Sequence, residues 1–444
     1  MFYVNQNTEL TAELLQKMIS RFNVSVLPQL MKNKNYYDGK QAIMNKSYAD
    51  ADKPCSRTVI NYCKNIADAY CGYMATPGYI SYISENDIEI VMDILRYNDY
   101  NAADAALLLD ALVYGIGAEL MYIDAAGQTR FRTINPTQCF GVCDDSLTGD
   151  LLYFVRYYPV NEWDETDTYA VDVYSNYDIK HYTMSGNNGY LTYVGQEPHY
   201  FSQCPANILC LPDEKSIYDC VIGLQDAANE ILSSEIDDFS AFCDAYLVLT
   251  GVDAETDDIK TMKENRVIIL PPDGAAASWL TKNANDAQVE NILKRIHDSI
   301  YRISSCVDYS SETLMSGVSS GISIRYKMSG MENRAGTIEA PFKKALQRRV
   351  EIICGIASLK LGEEVYRDIN IEFKRNVPDD ITATIAMINS LKGTVSDATL
   401  LGQLDFIPDV AAELEQVEAQ KQKNMELYSF GGNPIEEDTE DDVA

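Results

Sequence analysis

Two amphipathic helical patterns, 216–242 and 286–305, enclose a compact unit that reads strand, helix, strand, and this arrangement limits the folds open to the chain more than any other feature. The unit comprises 246–250, 257–265 and 266–270, closed by Pro271-Pro272-Asp273-Gly274, whose Pro-Pro and Asp-Gly steps are strong stops. At roughly 100° per residue, Asp219, Asp226, Glu230 and Asp237 share one stripe of the first helix, while Val221, Leu224, Ala228, Leu232 and Phe239 gather opposite. No Lys or Arg occurs within it. A solvated face is the bland reading, but exposed helices usually supply a cation four residues from an acid. The second helix places Val289, Ile292, Leu293, Ile296, Ile300 and Ile303 on one side.

A polar, Ser-rich loop, 308–321, follows and stands between two strongly helical segments, where loops usually carry function. After it, 322–360 is one long helical pattern with Met331, Ala335, Ile338, Phe342, Ala345, Val350 and Ile353 at apolar positions. Pro341 lies inside and predicts a kink. This segment reverses the charge of the rest: Arg325, Lys327, Arg334, Lys343, Lys344, Arg348, Arg349 and Lys360 face only Glu332, Glu339 and Glu351. Two readings stand, pairing with acidic neighbours in the chain or contact between identical subunits.

Residues 8–120 read as mainly helical, with patterns at 11–31, 57–74 and 87–114. From Ala118 the period shortens, and 119–124, 129–134, 151–158, 169–175 and 179–183 read as short strands rich in Tyr and Val. Helical pieces close the chain, with Asp379, Ser396 and Asp409 as N-caps and Gly393 as a stop. Residues 425–444 hold seven acids and no base, and are expected to be disordered. The expected class is α+β.

With 444 residues and 46% hydrophobic content, the chain can bury a sizeable core and should form more than one domain. A net charge of -31 argues against an openly exposed face for nucleic acid or anionic membrane. The first ten residues lack a signal pattern, and Asp104, Asp110 and Glu119 interrupt the most apolar run, so a cytoplasmic product without a membrane span is expected. Eleven scattered Cys fit reduced core thiols, and Cys139 and Cys143 find no partners for a zinc set. His181, His199 and His297 are isolated from each other, none pairs with a recognisable nucleophile motif, and no G-x-x-x-x-G-K-[ST] phosphate loop occurs. No catalytic residue, metal or cofactor is therefore expected. A carboxylate-dependent hydrolase stays open as an alternative of another class.

The order of certain residues resembles the portal proteins of tailed bacteriophages, of the type found in siphophages of Gram-positive hosts related to the Bacillus phage group. The resemblance runs from Tyr36 to Lys423. It rests on Tyr37-Asp38-Gly39 with Ile43; Asn61, Ile66, Asp68, Gly72-Tyr73 and Pro77; Tyr114-Gly115 with Glu119 and Tyr122; and Asp244-Ala245-Tyr246-Leu247. Ile300-Tyr301, Val307-Asp308, Ser320-Gly321, Tyr326-Lys327, the run from Phe373 to Pro378, Gly393-Thr394-Val395-Ser396 and Thr399-Leu400-Leu401 complete it.

That likeness implies a ring, typically dodecameric, conducting double-stranded DNA at the capsid vertex. It implies wing (1–215), stem helices (216–242 and 286–305), clip (243–285), tunnel loop (306–321), a long kinked helix with a wing strand (322–378), crown (379–424) and acidic tail (425–444). Ser310, Ser311, Thr313, Met315, Ser316, Gly317, Val318 and Ser319 would face DNA in the tunnel loop, and Asp219, Asp226, Glu230 and Asp237 would line the stem channel. Lys260, Lys263 and Arg266 would serve docking at the clip, and Arg325, Lys327, Arg334, Lys343 and Arg348 the contact between subunits. The implied partners are the terminase large subunit, the head-tail adaptor, and the major capsid and scaffolding proteins. Another head-tail connector ring is the nearest alternative, although such rings are generally shorter.

Overall fold

The computed structural model describes residues 1–49, 54–160, 168–186, 189–242, 246–250, 276–280, 286–309, 321–356, 365–375, 381–401, 404 and 410–429. The chain divides into two units, Met1–Tyr309 with Met328–Asn376, and Ser310–Lys327 with Val377–Ala444.

The first unit opens with a short strand, β1 (Phe2–Val4), ahead of the expected helices. Thr11 accepts the Leu14 N–H and starts α1 (Ala12–Arg21); one π-helical turn leads into α2 (Leu27–Tyr37). The helix expected over 57–74 begins later, as α3 (Tyr62–Met74), capped by Asn61. Next comes a strand that periodicity missed, β2 (Ile80–Ile83). The pattern over 87–114 is two helices, α4 (Glu89–Tyr97) and α5 (Tyr100–Tyr114), parted at Asp99, whose φ is 49°. Asn98 accounts for the break: its side chain donates to the Thr129 carbonyl and accepts the Phe131 N–H, pinning the junction to a neighbouring strand.

Eight strands follow: β3 (Ile116–Ile123), β4 (Thr129–Ile134), β5 (Cys139–Asp144), β6 (Leu151–Pro159), β7 (Thr168–Tyr174), β8 (Asp178–Ser185), β9 (Leu191–Pro198) and β10 (Ala206–Cys210). They form a six-stranded sheet ordered β1-β5-β6-β7-β8-β9 and a three-stranded sheet ordered β10-β3-β4. Ala118, Leu120, Cys139, Phe154, Cys204 and Ala206 build a core from residues of both sheets. Only the β1–β5 pair of the larger sheet is parallel.

The first helix of the enclosing pair, α6 (Ile222–Phe242), is preceded by a 3-10 turn over Asp219–Val221. A two-stranded antiparallel sheet, β11 (Tyr246–Thr250) and β12 (Ala276–Leu280), stands between it and α7 (Asp286–Ser304). The second strand of the unit was expected at 266–270, which lies outside the described residues, as does the helix expected over 257–265. The long helix is α8 (Gly321–Cys354), with Pro341 inside it. Met328, Met331, Ala335, Ile338, Phe342, Ala345, Leu346, Val350 and Ile353 keep three- and four-residue spacing along it and are all buried. A short helix, α9 (Val365–Asp368), leads to β13 (Asn370–Phe373), which pairs antiparallel with β2.

In the second unit α10 (Ile381–Leu391) ends in a turn at Gly393, whose φ of 86° suits a residue without Cβ, and Ser396 then caps α11 (Asp397–Leu401) by accepting the Thr399 N–H. The final helix, α12 (Val410–Ser429), continues through 425–429, where disorder was expected. Mixed helix and strand content agrees with the α+β class.

Candidate assembly site

The pair α6 and α7 carries the most unusual chemistry of the molecule. Gln225, Asn229, Ser233 and Asp237 recur every four residues on α6 and are all buried. Each accepts one backbone N–H, three from an extended strap preceding α3 and one from Tyr62, the first residue of that helix. Tyr62 N–H meets Gln225 Oε1 at 3.0 Å, Ile60 meets Asn229 Oδ1 at 2.9 Å, Thr58 meets Ser233 Oγ at 3.0 Å, and Ser56 meets Asp237 Oδ1 at 2.5 Å.

The periods match: four helical residues advance about 6 Å and two extended residues about 6.6 Å. Alternate strap N–H groups therefore meet successive rungs, as they would meet carbonyls in a sheet. The rungs are tied sideways as well, because Gln225 Nε2 donates to Asn229 Oδ1 at 3.1 Å and Asn229 Nδ2 donates to Gln41 Oε1 at 2.5 Å. This ladder explains why helix α3 starts at Tyr62 and not at Arg57. Sequence periodicity missed it, although the recurrence of Gln, Asn, Ser and Asp at four-residue spacing is visible in the sequence.

The ladder takes up part of the acidic stripe. Asp237, expected to line a channel, is 7% exposed and sits between Ser56, Lys46 at 3.3 Å and Tyr48 at 3.3 Å. Burial works to raise its pKa, but the Ser56 N–H and hydroxyl and the Lys46 ammonium outweigh that and hold it below the usual carboxylate range. Asp226, half-buried, accepts the Tyr36 hydroxyl at 2.8 and 2.9 Å. Lys46 also reaches Glu230 at 3.3 Å, so the cation absent from the helix comes from a segment far upstream. Glu230 nevertheless keeps its side chain 57% exposed. Asp219 lies 4.0 Å from Lys215 and is 32% exposed.

On α8 three of the five cations expected at the subunit contact are engaged within the protomer. Arg334 donates to the carbonyls of Ile217 at 2.8 Å and Ile303 at 3.4 Å, Lys343 to Asn370 at 3.1 Å, and Arg348 to Gln203 at 2.7 Å. Lys327 is exposed in the helix, and the Arg325 side chain lies outside the described residues.

Arg349, one of the eight cations of the 322–360 pattern but left out of the expected subunit contact, is fully buried. Its Nε meets Glu119 at 2.8 Å, its Nη2 meets Glu119 at 2.6 Å, and its Nη1 pairs with Asp104. Tyr82 donates to Asp104 at 3.1 Å, and the guanidinium stands 4.5 Å from the centre of the Phe131 ring. Burial pushes the Asp104 pKa up against the pull of Arg349, while Arg349 itself stands well above its ordinary value because the two carboxylates outweigh its desolvation. The cluster joins α8, α5, β3 and β2. Its signal in the sequence was register, since Arg349 continues the apolar spacing of Phe342 and Ala345.

The DNA-facing set Ser310, Ser311, Thr313, Met315, Ser316, Gly317, Val318 and Ser319, and the docking set Lys260, Lys263 and Arg266, lie outside the described residues. His181 pairs with Asp172 at 2.7 Å, His199 Nε2 lies 2.9 Å from the Ser175 carbonyl, and His297 packs against Tyr62 and Tyr301. Ten cysteines among the described residues are free thiols, and burial pushes Cys63 and Cys204 up to about 12, which leaves them unreactive. Among the described residues no helix is long and apolar enough to cross a membrane.

Two similarities to known proteins bear on this arrangement. The chain matches the family described as phage portal protein, SPP1 Gp6-like, over residues 23–427. It is 21% identical over 436 residues to the portal protein of Bacillus phage SPP1, with 93% of this chain and 84% of that protein covered.

Proposed function

The chain belongs to the SPP1 Gp6-like family of phage portal proteins, and from that membership we propose that it forms a dodecameric ring at the capsid vertex and conducts double-stranded DNA during packaging and ejection. As a member of this family it is a virion component within a capsid-associated oligomeric assembly, and the family is not one of enzymes. The observation that carries the proposal is the match over 23–427, within which α6 and α7 enclose a small β unit.

In this reading α6 and α7 are the stem, the unit with β11 and β12 is the clip, 306–321 is the tunnel loop, and 379–424 is the crown. The clip, with Lys260, Lys263 and Arg266, would dock the terminase large subunit and later the head-tail adaptor. The parts at the ring's periphery would meet the major capsid and scaffolding proteins. The loop residues Ser310, Ser311, Thr313, Ser316 and Ser319 offer hydroxyls to phosphate, Met315 and Val318 offer apolar contact, and Gly317 permits movement.

Electrostatics supports a conduit that does not grip. DNA carries about one charge per 1.7 Å of axis, so a basic wall would hold it fast. An acidic wall repels it over a screening length of about 8 Å and lets it slide. Glu230, with the most exposed carboxylate of the acidic stripe, is the residue best suited to this role, with Asp219 and Asp226 contributing less.

The test is packaging into heads assembled with this protein, read as DNA protected from nuclease. Protection by the native protein, with slower filling when Glu230→Lys is used, is the expected result. Heads that incorporate the protein yet protect no DNA would contradict the conduit.

A further inference from the structure

The last turns of α6 and the outer face of α7 hold apolar side chains in solvent. On α6, Phe239 is 73% and Ile236 36% exposed, beside Glu235 and Asp238. On α7, Ile292 is 39% and Ile303 47% exposed at one edge of the apolar side, while Ile300 and Ser304, roughly 80–120° round the helix from Ile292, are fully buried. Arg295 and Arg302 are exposed as well, and at 100° per residue they fall with Ile292 and Ile303 on one stripe about 100° wide. The charges are opposite. Residues 222–242 contain five acids and no base, whereas the α7 stripe holds two arginines and no acid.

Tyr62 fixes the relative height of the helices, because its N–H binds Gln225 while its ring packs against His297 at 5.7 Å and Tyr301 at 6.1 Å. Counting along both helices from that level puts Ile236 within about one turn of Ile292. We propose that the outer face of α7, centred on Ile292 and Arg295, packs on the last turns of α6, Glu235, Ile236 and Phe239, of a neighbouring copy of this chain. The two faces differ and belong to the same protomer. Such a heterologous contact repeats from copy to copy and closes a ring when its rotation permits. The proposal rests on the ring reading above and assigns the residues that join one stem to the next.

The test is native mass spectrometry across a dilution series with Phe239→Asp, Arg295→Glu, Glu235→Arg and the double variant Glu235→Arg/Arg295→Glu. Circular dichroism checks that each protomer folds, and Lys294→Glu on another face of α7 serves as control. Each single variant is expected to raise the half-assembly concentration about tenfold or more, the double to recover most of that loss, and the control to match the native protein. Native rings that survive all three single changes, or a double variant no better than the singles, would overturn this contact while leaving the ring intact. A native protein that never assembles would instead overturn the ring reading itself.

Discussion

Asn229 accepts the backbone N–H of Ile60 at 2.9 Å, a bond between residues 169 positions apart that places the strap on α6. Because the same side chain donates to Gln41 and accepts from Gln225, its loss leaves the Ile60 N–H and Gln41 Oε1 without a partner, while Gln225 Nε2 keeps its bond to the Ile60 carbonyl. Asn229→Leu is therefore expected to cost about 2–4 kcal/mol, whereas Asn229→Asp, which keeps the acceptor, should lose the Gln41 contact but hold Ile60. Hydrogen exchange at Ile60 and Thr58 reads the ladder directly: protection should fall sharply in the first variant and persist in the second.

The buried cluster around Arg349 makes a second expectation. Arg349→Leu strands Asp104 and Glu119 without their cation, and a broken buried pair costs about 3–5 kcal/mol. Replacing all three by apolar residues of similar volume should recover much of that loss. Denaturant unfolding of both variants checks it, and equal damage in the two would mean that packing, not charge, holds α8 to β3.

A third expectation concerns pH. Burial raises the Asp110 pKa from 3.8 to about 6, with Lys34 opposing it weakly. The folded state then holds the proton more tightly than the unfolded one, so this group subtracts no stability below about pH 4 and an increasing amount as the pH rises towards 6. Asp110→Asn is expected to raise stability at pH 7.5 by up to about 2–3 kcal/mol and to leave it unchanged at pH 3.5. Melting temperatures at the two pH values decide it; an equal gain at both would point to a cause other than titration.

A fourth expectation separates the two roles of Lys46. Lys46→Met removes the cation shared by Asp237 and Glu230 but leaves the Ser56 N–H on Asp237. Stability should drop by about 1–3 kcal/mol, and the Asp237 carboxyl should titrate higher than in the native protein, as read by carbon-13 NMR. An unmoved titration would show that the backbone contact alone sets that carboxyl.

The sequence made the paired helices, the β-rich part and the long α8 legible because each has a local period. What it hid was everything set by partners distant in the chain. The strap looked like the first turn of α3, since its pattern carries no sign that α6 side chains take its N–H groups. Asp237 looked like a solvent-facing acid because Lys46 and Ser56 lie some 180 to 190 positions away. Arg349 looked like its surface neighbours, although its register with Phe342 already placed it inside. The strands β2 and β13 are four residues each, too short for a period, and exist because they pair with each other.

The most direct test of the account is negative-stain electron microscopy of the purified protein at several concentrations. Closed rings of about a dozen subunits around a central hole are the expected result. Uniform monomers or dimers at the highest concentration would contradict it.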